Sequence, residues 1–336
     1  MDDGCEIGIS DQLARFVREQ AGAKVRVGPL TTLPGHAGLS YGFDLDHGTL
    51  GRRERLVLRL APAGVRPVGT ADVVRQARIM QSLADTAVPV PEIRWFGEDP
   101  RWFGRPYFIA VFVNGDKLAE GQRDFRPEQQ WKIAHSVVQI AADLHQVNWQ
   151  SRREAWGQPF TLEQELARLD RLLDRPTLAA ETIVGASRLR ERLRATMPAD
   201  PHVGCVHGDY QWANTLAGDD RVLIVIDWEL AQVGATLIDL GWLMLFSDPL
   251  SWVVQSLVPQ HIPSPEAMAE AYRERVPWPV SGVEVRWFRA FAGYRFGVIT
   301  AFNLMLHRRG KRHDPSWEEI ALSAPRLFER GRELIG

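Results

Sequence analysis

Residues 205–245 read CVHGDYQWANTLAGDDRVLIVIDWELAQVGATLIDLGWLML. A His-Gly-Asp tripeptide ends at Asp209, an Asn follows five positions later at Asn214, and another Asp follows thirteen positions after that at Asp227. A carboxylate can take the proton of an attacking hydroxyl, and Asn and Asp oxygens are the hard ligands that Mg²⁺ prefers. The apolar run at 223–226 predicts a strand that ends at Asp227. The stretch therefore predicts a strand, a catalytic loop, a hairpin and a metal-binding Asp.

The spacing of these residues carries more weight than their types. Asp and Asn are common in loops, and each of the three alone is more typical of a cap or a turn. Three solvated loop residues are therefore the alternative interpretation. The order His, Gly, Asp, Asn, apolar strand and Asp-Trp-Glu favours phosphoryl transfer, with Asp209 as catalytic base and Asn214 and Asp227 as Mg²⁺ ligands.

Four segments carry a resemblance to a known family: residues 207–210, Asn214, residues 226–230 and residues 239–242. The chain resembles the aminoglycoside phosphotransferase and choline kinase-like small-molecule kinases, which share the protein-kinase fold. It is most similar to the branch typified by the phosphotransferase domains related to acyl-CoA dehydrogenase fusion proteins. The resemblance implies an α+β, two-lobe fold, the cofactors ATP and Mg²⁺, and transfer of the γ-phosphate to a hydroxyl of a small molecule.

Three further residues in the matching segments have expected roles. The resemblance implies that Asp239 supports the catalytic loop, whereas hydrogen bonding by His207 is expected to brace that loop rather than to titrate in the reaction. Glu229 has three open roles: a further metal ligand, a substrate contact or a cap of the next segment. The family's Gly-Asp-Pro turn is replaced here by residues 234–236, Gly-Ala-Thr, which leaves the local turn geometry open.

Composition places few constraints on function. The chain has 336 residues and a formal net charge of -2, so neither its charge nor a basic run indicates a nucleic-acid partner. Only Cys5 and Cys205 are present, and the first residues lack the pattern of a signal peptide. We expect a cytoplasmic protein with no membrane partner, and the sequence leaves the oligomeric state open.

The pattern along the chain predicts two lobes. Residues 1–113 are expected to form a nucleotide-binding lobe with a five-stranded antiparallel sheet and a packed helix at 71–84, after an opening helix at 10–22 with Ser10 as N-cap. Residues 114–336 are expected to be mostly helical and to carry the catalytic loop and the substrate site. The helices predicted there cover residues 127–148, 161–174, 182–196, 265–275, 283–308 and 316–334.

A glycine-containing segment at residues 33–42 lies between the first two predicted strands. Gly38 and Ser40 match the family's Gly-x-Ser turn, whose backbone N–H groups cover the phosphates of a nucleotide. A plain hairpin turn is the alternative. The same segment formally matches the Gly-x-Ser-x-Gly elbow of α/β-hydrolases, but that motif needs a helix after the Ser, and strand-like alternation follows Phe43 instead.

The expected phosphate-binding Lys is replaced in this chain. Arg59 occupies the corresponding position on the third predicted strand, and Gln76 occupies the helix position at which a Glu is usual. Gln can accept a hydrogen bond from a guanidinium but adds no negative charge. An Arg59 that only extends to solvent is the alternative. Residues Ala110 and Phe112 are expected to offer backbone groups to the adenine.

The acceptor is less constrained than the chemistry. From residue 251 onward there are twelve Lys and Arg against nine Asp and Glu, a balance that slightly favours a neutral or anionic acceptor over a polycationic aminoglycoside. A catalytically inactive nucleotide-binding pseudokinase or interaction module is the alternative function, because the strand Lys and the helix Glu are missing. A protein kinase is less favoured because no Ala-Pro-Glu follows Asp227.

Overall fold

The computed structural model describes residues 3–33, 39–48, 53–66, 68–118, 125–254, 258 and 261–336. It divides into two compact units, and the first comprises Met1–Asn114 together with Ile224–Leu230. The second comprises Gly115–Leu223 and Ala231–Gly336. The sequence-based division into 1–113 and 114–336 does not include the return of the chain to the first unit at Ile224–Leu230.

The first unit consists of an antiparallel sheet and three helices in the residues described. Its elements are α1 (Asp3–Ala21), β1 (Arg26–Val27), β2 (Thr31–Thr32), β3 (Leu39–Asp46), β4 (Arg53–Leu60), α2 (Val73–Leu83), β5 (Ile93–Gly97), α3 (Pro100–Phe103) and β6 (Tyr107–Val111). The sequence predicted five strands, and the described residues form six: five in the order β1-β3-β4-β6-β5, with the two-residue β2 paired with β3 beside this path. The fold class predicted for this lobe is confirmed.

Helix α1 supplies one side of the core of the first unit. Leu13, Phe16 and Val17 are buried, and the Phe16 ring lies 5.1 Å from the ring of Trp102. The helix ends at Ala21 before a glycine with φ 99°, a conformation that glycine adopts readily. The prediction of Ser10 as the N-cap is wrong, because the helix already begins at Asp3.

Helix α2 lies against strands β5 and β6. It begins after Asp72, whose carboxylate accepts a hydrogen bond of 2.9 Å from the backbone N–H of Arg75 and so caps the first turn. Its buried face includes Val74, Ala77 and Leu83, at the spacing that predicted a helix here. The structure thus confirms the packed helix of the first lobe.

The second unit is mainly helical. Its elements are β7 (Asp116–Lys117), α4 (Pro127–His145), α5 (Arg153–Trp156), α6 (Leu162–Leu173), α7 (Ala186–Ala195), β8 (Val203–Val206), β9 (Thr215–Gly218), β11 (Gln232–Ala235), α8 (Leu237–Leu245), α9 (Pro265–Arg275), α10 (Gly282–Arg308), α11 (Ser316–Ile320) and α12 (Ala324–Ile335). Strand β10 (Arg221–Val225) pairs with β9 as the predicted hairpin, and β11 pairs with β8. The chain passes into the first unit within β10.

The 27-residue α10 is the centre of the second unit and packs on α6, α7, α8 and α12. Its crossing with α8 is close: a Cβ added at Gly241 would lie 2.5 Å from the carbonyl oxygen of Phe288. Helix α8 was not predicted, because all nine of its residues are buried and the segment therefore shows no apolar stripe. The helix predicted at 316–334 is interrupted by a 3₁₀ turn at Ala321–Ser323.

The described helices do not include a candidate membrane span. None of them is both long enough and apolar enough to cross a bilayer.

Candidate active site

The catalytic loop follows strand β8 and is fixed by a buried carboxylate. Asp239 of α8 is fully buried and accepts hydrogen bonds from the backbone N–H groups of His207, at 2.6 Å, and Gly208, at 2.8 Å. Gly208 has φ 81°, where a side chain would be strained. Asp239 therefore holds the backbone directly before Asp209, which confirms the supporting role that the resemblance implied.

Two histidines complete the support of this loop. His145 Nε2 lies 3.3 Å from Asp239 Oδ2, and its Nδ1 lies 2.7 Å from the hydroxyl of Tyr272. Burial alone raises the pKa of the Asp239 carboxyl, but the hydrogen bond with His145 and the proximity of His207 outweigh burial and hold that pKa below its ordinary value. His207 Nδ1 accepts a hydrogen bond of 3.2 Å from the Asp209 backbone N–H, in agreement with a bracing role.

Asp209 is half-buried, and three side chains donate hydrogen bonds to its carboxylate. Trp242 Nε1 and Gln211 Nε2 donate to Oδ1 at 2.7 and 2.9 Å, and Asn214 Nδ2 donates to Oδ2 at 2.9 Å. Hydrogen bonds of this kind favour the ionised carboxylate and restrict its rotation. The sequence motif indicates the acid but does not show that Trp242 and Gln211 are its partners.

Asn214 closes a short 3₁₀ turn after the loop and is buried. Its Nδ2 also donates to the backbone carbonyl of Asp209, at 2.9 Å. Because both of these hydrogen bonds use the amide nitrogen, Oδ1 is the atom that Asn214 can offer to a cation. The donor chemistry of Asn214 therefore fits a Mg²⁺ ligand.

Asp227 belongs to the first unit and is exposed. Its φ of 67° is left-handed, a conformation that costs of order 1–3 kcal/mol for a residue with a side chain. The flanking residues hold it: Val225 N–H donates to the Pro89 carbonyl at 2.8 Å, and the buried Trp228 donates from Nε1 to the Val225 carbonyl at 2.9 Å. Backbone strain of this kind is common at ligand sites, and an exposed carboxylate is suited to a hard cation.

Arg59 on β4 has two partners in the first unit. Its Nη1 donates to Ser40 Oγ at 2.9 Å, and its Nη2 lies 3.8 Å from Glu229 Oε2. The two charged side chains are only 16 % and 18 % exposed. Arg59 is therefore held inside the unit, which contradicts the alternative that it merely extends to solvent.

Gln76, by contrast, has a different partner. It is buried on α2, and its Nε2 donates to the Thr70 carbonyl at 3.1 Å. In the described part of the chain, the acid next to Arg59 is Glu229, which stands 170 positions later in the sequence. The Asp-Trp-Glu motif contained this residue, but nothing in its spacing relates it to the third strand.

The proposed phosphate-covering turn is described in part. Gly38 lies outside the described residues, whereas Ser40 is buried in β3. Strand β3 continues to Asp46, so no helix follows Ser40 and the hydrolase elbow is excluded. Instead, Ser40 is opposite Arg59 in the strand register and accepts its hydrogen bond.

The backbone predicted to contact adenine is engaged in the sheet. Phe112 N–H donates to the Arg55 carbonyl at 2.8 Å, and the Arg55 guanidinium lies 4.3 Å from the Phe112 ring centroid. Ala110 is opposite Val57, two residues along the same ladder, and pairs of this kind alternate between hydrogen-bonded and non-bonded. The N–H groups of Ala110 and Phe112 are thus both directed at β4. Val111 N–H donates to the Glu92 carbonyl on the other side, at 2.8 Å.

Comparison with known proteins identifies the class to which this fold and this loop belong. The family model described as "Phosphotransferase enzyme family" matches residues 43–274, well over half of the chain. The chain belongs to this phosphotransferase family.

Two curated relatives show the same likeness in longer proteins. The chain is 26% identical to mouse acyl-CoA dehydrogenase family member 10 over 230 residues, which cover 66% of this chain and 20% of that protein. It is 26% identical to human acyl-CoA dehydrogenase family member 11 over 208 residues, 56% of this chain and 25% of that protein. The chain thus spans about a fifth to a quarter of the length of these relatives.

Solved structures show the same fold at low identity. A Ralstonia eutropha protein provisionally described as an aminoglycoside phosphotransferase has a TM-score of 0.76 at 21% identity, covering 97% of this chain and 98% of that one. The macrolide 2′-phosphotransferase of Brachybacterium faecium has a TM-score of 0.58 at 21% identity, with 94% and 97% covered.

A third structure contains ligands. A thermostable mutant of aminoglycoside phosphotransferase APH(4)-Ia, in a ternary complex with AMP-PNP and hygromycin B, has a TM-score of 0.61 at 17% identity, with 96% and 98% covered. The likeness confirms the protein-kinase-like, two-lobe α+β fold.

Proposed function

We propose that this protein is a small-molecule kinase that transfers the γ-phosphate of ATP to a hydroxyl group, with Mg²⁺ as cofactor. The observation that carries the proposal is that three side chains donate hydrogen bonds to the carboxylate of Asp209. The loop before Asp209 is itself held by a hydrogen bond to the buried carboxylate of Asp239. Family membership supports the reaction class, and the structural relative with AMP-PNP supports ATP as the donor.

In the proposed reaction, Asp209 orients the acceptor hydroxyl and accepts its proton. The hydroxyl oxygen forms a bond to the γ-phosphorus while the bond from that phosphorus to the bridging oxygen of ADP breaks, so the products are a phosphate ester and ADP. Transition states of this kind are loose, and they require positioning more than early deprotonation. The restricted carboxylate of Asp209 meets that requirement.

Bound Mg²⁺ would neutralise charge on the phosphates. We assign Oδ1 of Asn214 and the carboxylate of Asp227 as its protein ligands. The pairing of these two residues rests on the sequence motif, and the local chemistry described above supports each of them separately.

Arg59 is the proposed cation for the nucleotide phosphates, and Ser40 and Glu229 restrict its side chain. Gln76 donates its amide N–H to the Thr70 carbonyl, so we do not assign it as the partner of Arg59. Its position on α2 is the reason why we include it in the nucleotide site. The sheet uses the N–H groups of Ala110 and Phe112, and the hydrogen-bonded pair of Ala110 with Val57 also uses the Ala110 carbonyl. We therefore assign the adenine contact to the carbonyl of Phe112.

The side chains around Asp209 support an acceptor that is neutral or anionic and partly apolar. Trp242, Phe246 and Phe296 surround one another with ring centroids 5.4–5.6 Å apart, and the two Phe side chains are half-buried. The closest partner of Asp209 Oδ1 is thus an indole N–H at the edge of an aromatic cluster. A polycationic acceptor would be matched by several carboxylates instead.

The proposal is tested by phosphate transfer from labelled ATP to a panel of hydroxyacyl thioesters, macrolides, aminoglycosides and amino alcohols. Asp209→Ala should lower kcat by about 10²–10⁴-fold, as expected for loss of a catalytic base, while Mg·ATP still binds. Asp200→Ala, a change at an exposed position, is the control and should leave the rate unchanged. Binding of Mg·ATP without transfer to any acceptor would favour the inactive nucleotide-binding module.

A further inference from the structure

Trp242 donates to the catalytic carboxylate from a buried position. Its side chain is 4 % exposed on α8, and its Nε1 lies 2.7 Å from Asp209 Oδ1. An indole N–H can only donate, so it pairs with an accepting carboxylate oxygen and stabilises the ionised form. Hydrogen bonds to charged groups are among the stronger ones in proteins, so this contact can fix the orientation of the Asp209 carboxylate.

The indole itself is held by a buried cation. Arg295 of α10 is 3 % exposed, and its guanidinium carbon lies 4.5 Å from the centroid of the Trp242 ring. The same guanidinium donates from Nη2 to the carbonyl of Gly208 at 2.7 Å, directly before Asp209. One side chain therefore contacts both the indole and the backbone that carries the base, which couples the positions of the two.

The charges around this pair keep Arg295 in place. Burial lowers the pKa of the Arg295 guanidinium, and Arg168 acts in the same direction, whereas the carboxylates of Glu165, Asp209 and Asp239 oppose that effect. A guanidinium nevertheless stays protonated in proteins. Glu165 is itself buried on α6, so the Arg295 guanidinium has an acidic neighbour on a third helix.

The other donors to Asp209 are more adaptable. Gln211 and Asn214 reach the carboxylate through flexible amides, and Asn214 is also assigned to the metal. Trp242 is rigid, fully packed and covered by Arg295. Among the donors described, it is therefore the one best suited to fix the plane of the carboxylate.

We propose that Trp242 is a positioning residue for phosphoryl transfer: its N–H orients the carboxylate of Asp209 toward the acceptor hydroxyl, and Arg295 keeps the indole in register with the loop. This inference rests on the proposed kinase function. Trp242 does not bind the nucleotide in this scheme, so its N–H should affect kcat more than the KM for ATP.

The test compares Trp242→Phe with Trp287→Phe. Trp287 is a matched control because it is also a buried Trp with one indole hydrogen bond, to the Leu193 carbonyl at 3.1 Å, on a part of α10 that contacts α7. We expect Trp242→Phe to lower kcat by about 10- to 100-fold, the rate equivalent of one hydrogen bond to a charged group, with KM for ATP nearly unchanged. Trp287→Phe should keep kcat within about threefold, since it removes packing and one remote hydrogen bond.

The split between kcat and KM separates positioning from simple damage. Loss of orientation lowers kcat per nucleotide-binding site and leaves the KM for ATP in place, so Trp242→Phe should show that split and Trp287→Phe should not. Should Trp242→Phe fail to fold, replacing Trp242 by its benzothienyl analogue removes only the N–H and preserves the ring shape.

The outcomes distinguish the inference from the proposed function. An active Trp242 variant with the kcat of the wild-type protein overturns the positioning role and leaves the kinase function standing. A wild-type protein that binds Mg·ATP but phosphorylates no acceptor overturns the kinase function and, with it, the positioning role.

Discussion

The pair formed by Arg59 and Glu229 allows a direct test of how the nucleotide phosphates are held. Glu229→Gln removes the negative charge 3.8 Å from the Arg59 guanidinium and preserves the size of the side chain. At this separation, two charges near a protein surface attract by about 4 kcal/mol before the costs of desolvation and ordering are subtracted. Much of that attraction serves to restrict a long side chain that otherwise has about 2 kcal/mol of rotamer entropy.

The expected effect on nucleotide binding follows from that entropy. Ser40 and Glu229 restrict Arg59 in the nucleotide-free protein, and a guanidinium has enough donors to keep these partners while it binds phosphate as proposed. Without Glu229, ATP must supply an ordering cost of about 1–2 kcal/mol. The Kd for Mg·ATP should therefore rise about 5- to 30-fold, while kcat at saturating ATP stays within about threefold.

The assay is titration of Mg·AMP-PNP, with steady-state kinetics in parallel. Glu54→Gln is the matched control. Glu54 lies on β4, the strand that also carries Arg59; it pairs with Arg94 at 2.9 Å and is 15 % exposed. Both changes remove one part-buried charge from an Arg–Glu pair, but only Glu229 contacts Arg59. Equal nucleotide affinities for Glu229→Gln and Glu54→Gln would refute the assignment of Glu229 as the residue that orders Arg59.

Two further predictions concern the loop support and the helix crossing. Asp239→Asn removes the charged acceptor of the hydrogen bonds from the His207 and Gly208 N–H groups. The change should lower the free energy of unfolding by about 3 kcal/mol, as for a broken buried charge network, and thermal unfolding measures this. The pKa of Asp239 is lowered by folding, so its stabilisation is present above the unfolded-state pKa and is lost as pH falls through the folded-state pKa. The Tm of Asp239→Asn should thus depend less on pH in that acid range than the wild-type Tm, and parallel curves would contradict the assignment. Gly241→Ala places a Cβ against the carbonyl of Phe288 and should destabilise the protein by about 1–3 kcal/mol; an unchanged denaturant midpoint would show that α8 and α10 separate easily.

The regular elements were predictable where the local pattern is strong. Helix α9 has the predicted bounds, and α10 begins one residue before its predicted start, because Ser281 forms a capping box with Glu284 that a sequence can show. The fully buried α8 was missed, since a segment without a polar face has no period to detect. The start of α1 was misplaced for the opposite reason: residues before Ser10 continue the helix without a strong pattern.

For the candidate site, too, local features of the sequence were predictable and contacts between distant residues were not. Asp209, Asn214 and Asp227 could be proposed from one short stretch, because their chemistry and spacing are local properties of the chain. The residues that hold Asp209 and its loop in place could not be proposed from the sequence. Trp242 and Arg295 are 33 and 86 positions after Asp209. Trp242 lies in the matching segment 239–242, but nothing in that segment relates its indole to Asp209, and nothing near Arg295 distinguishes it from a packing or surface residue.

The sequence by itself determined the family, the reaction class and the residues expected to carry the reaction, since these depend on a motif that the backbone presents within some forty positions. Only the tertiary structure decided which acid accompanies Arg59, because residues 224–230 return to the first unit and bring Glu229 to β4. It likewise decided what holds Asp209, because helices α8 and α10 must pack before an indole and a guanidinium can meet the loop. Contacts between residues far apart in the chain depend on the geometry of packing, and a linear pattern does not contain that geometry.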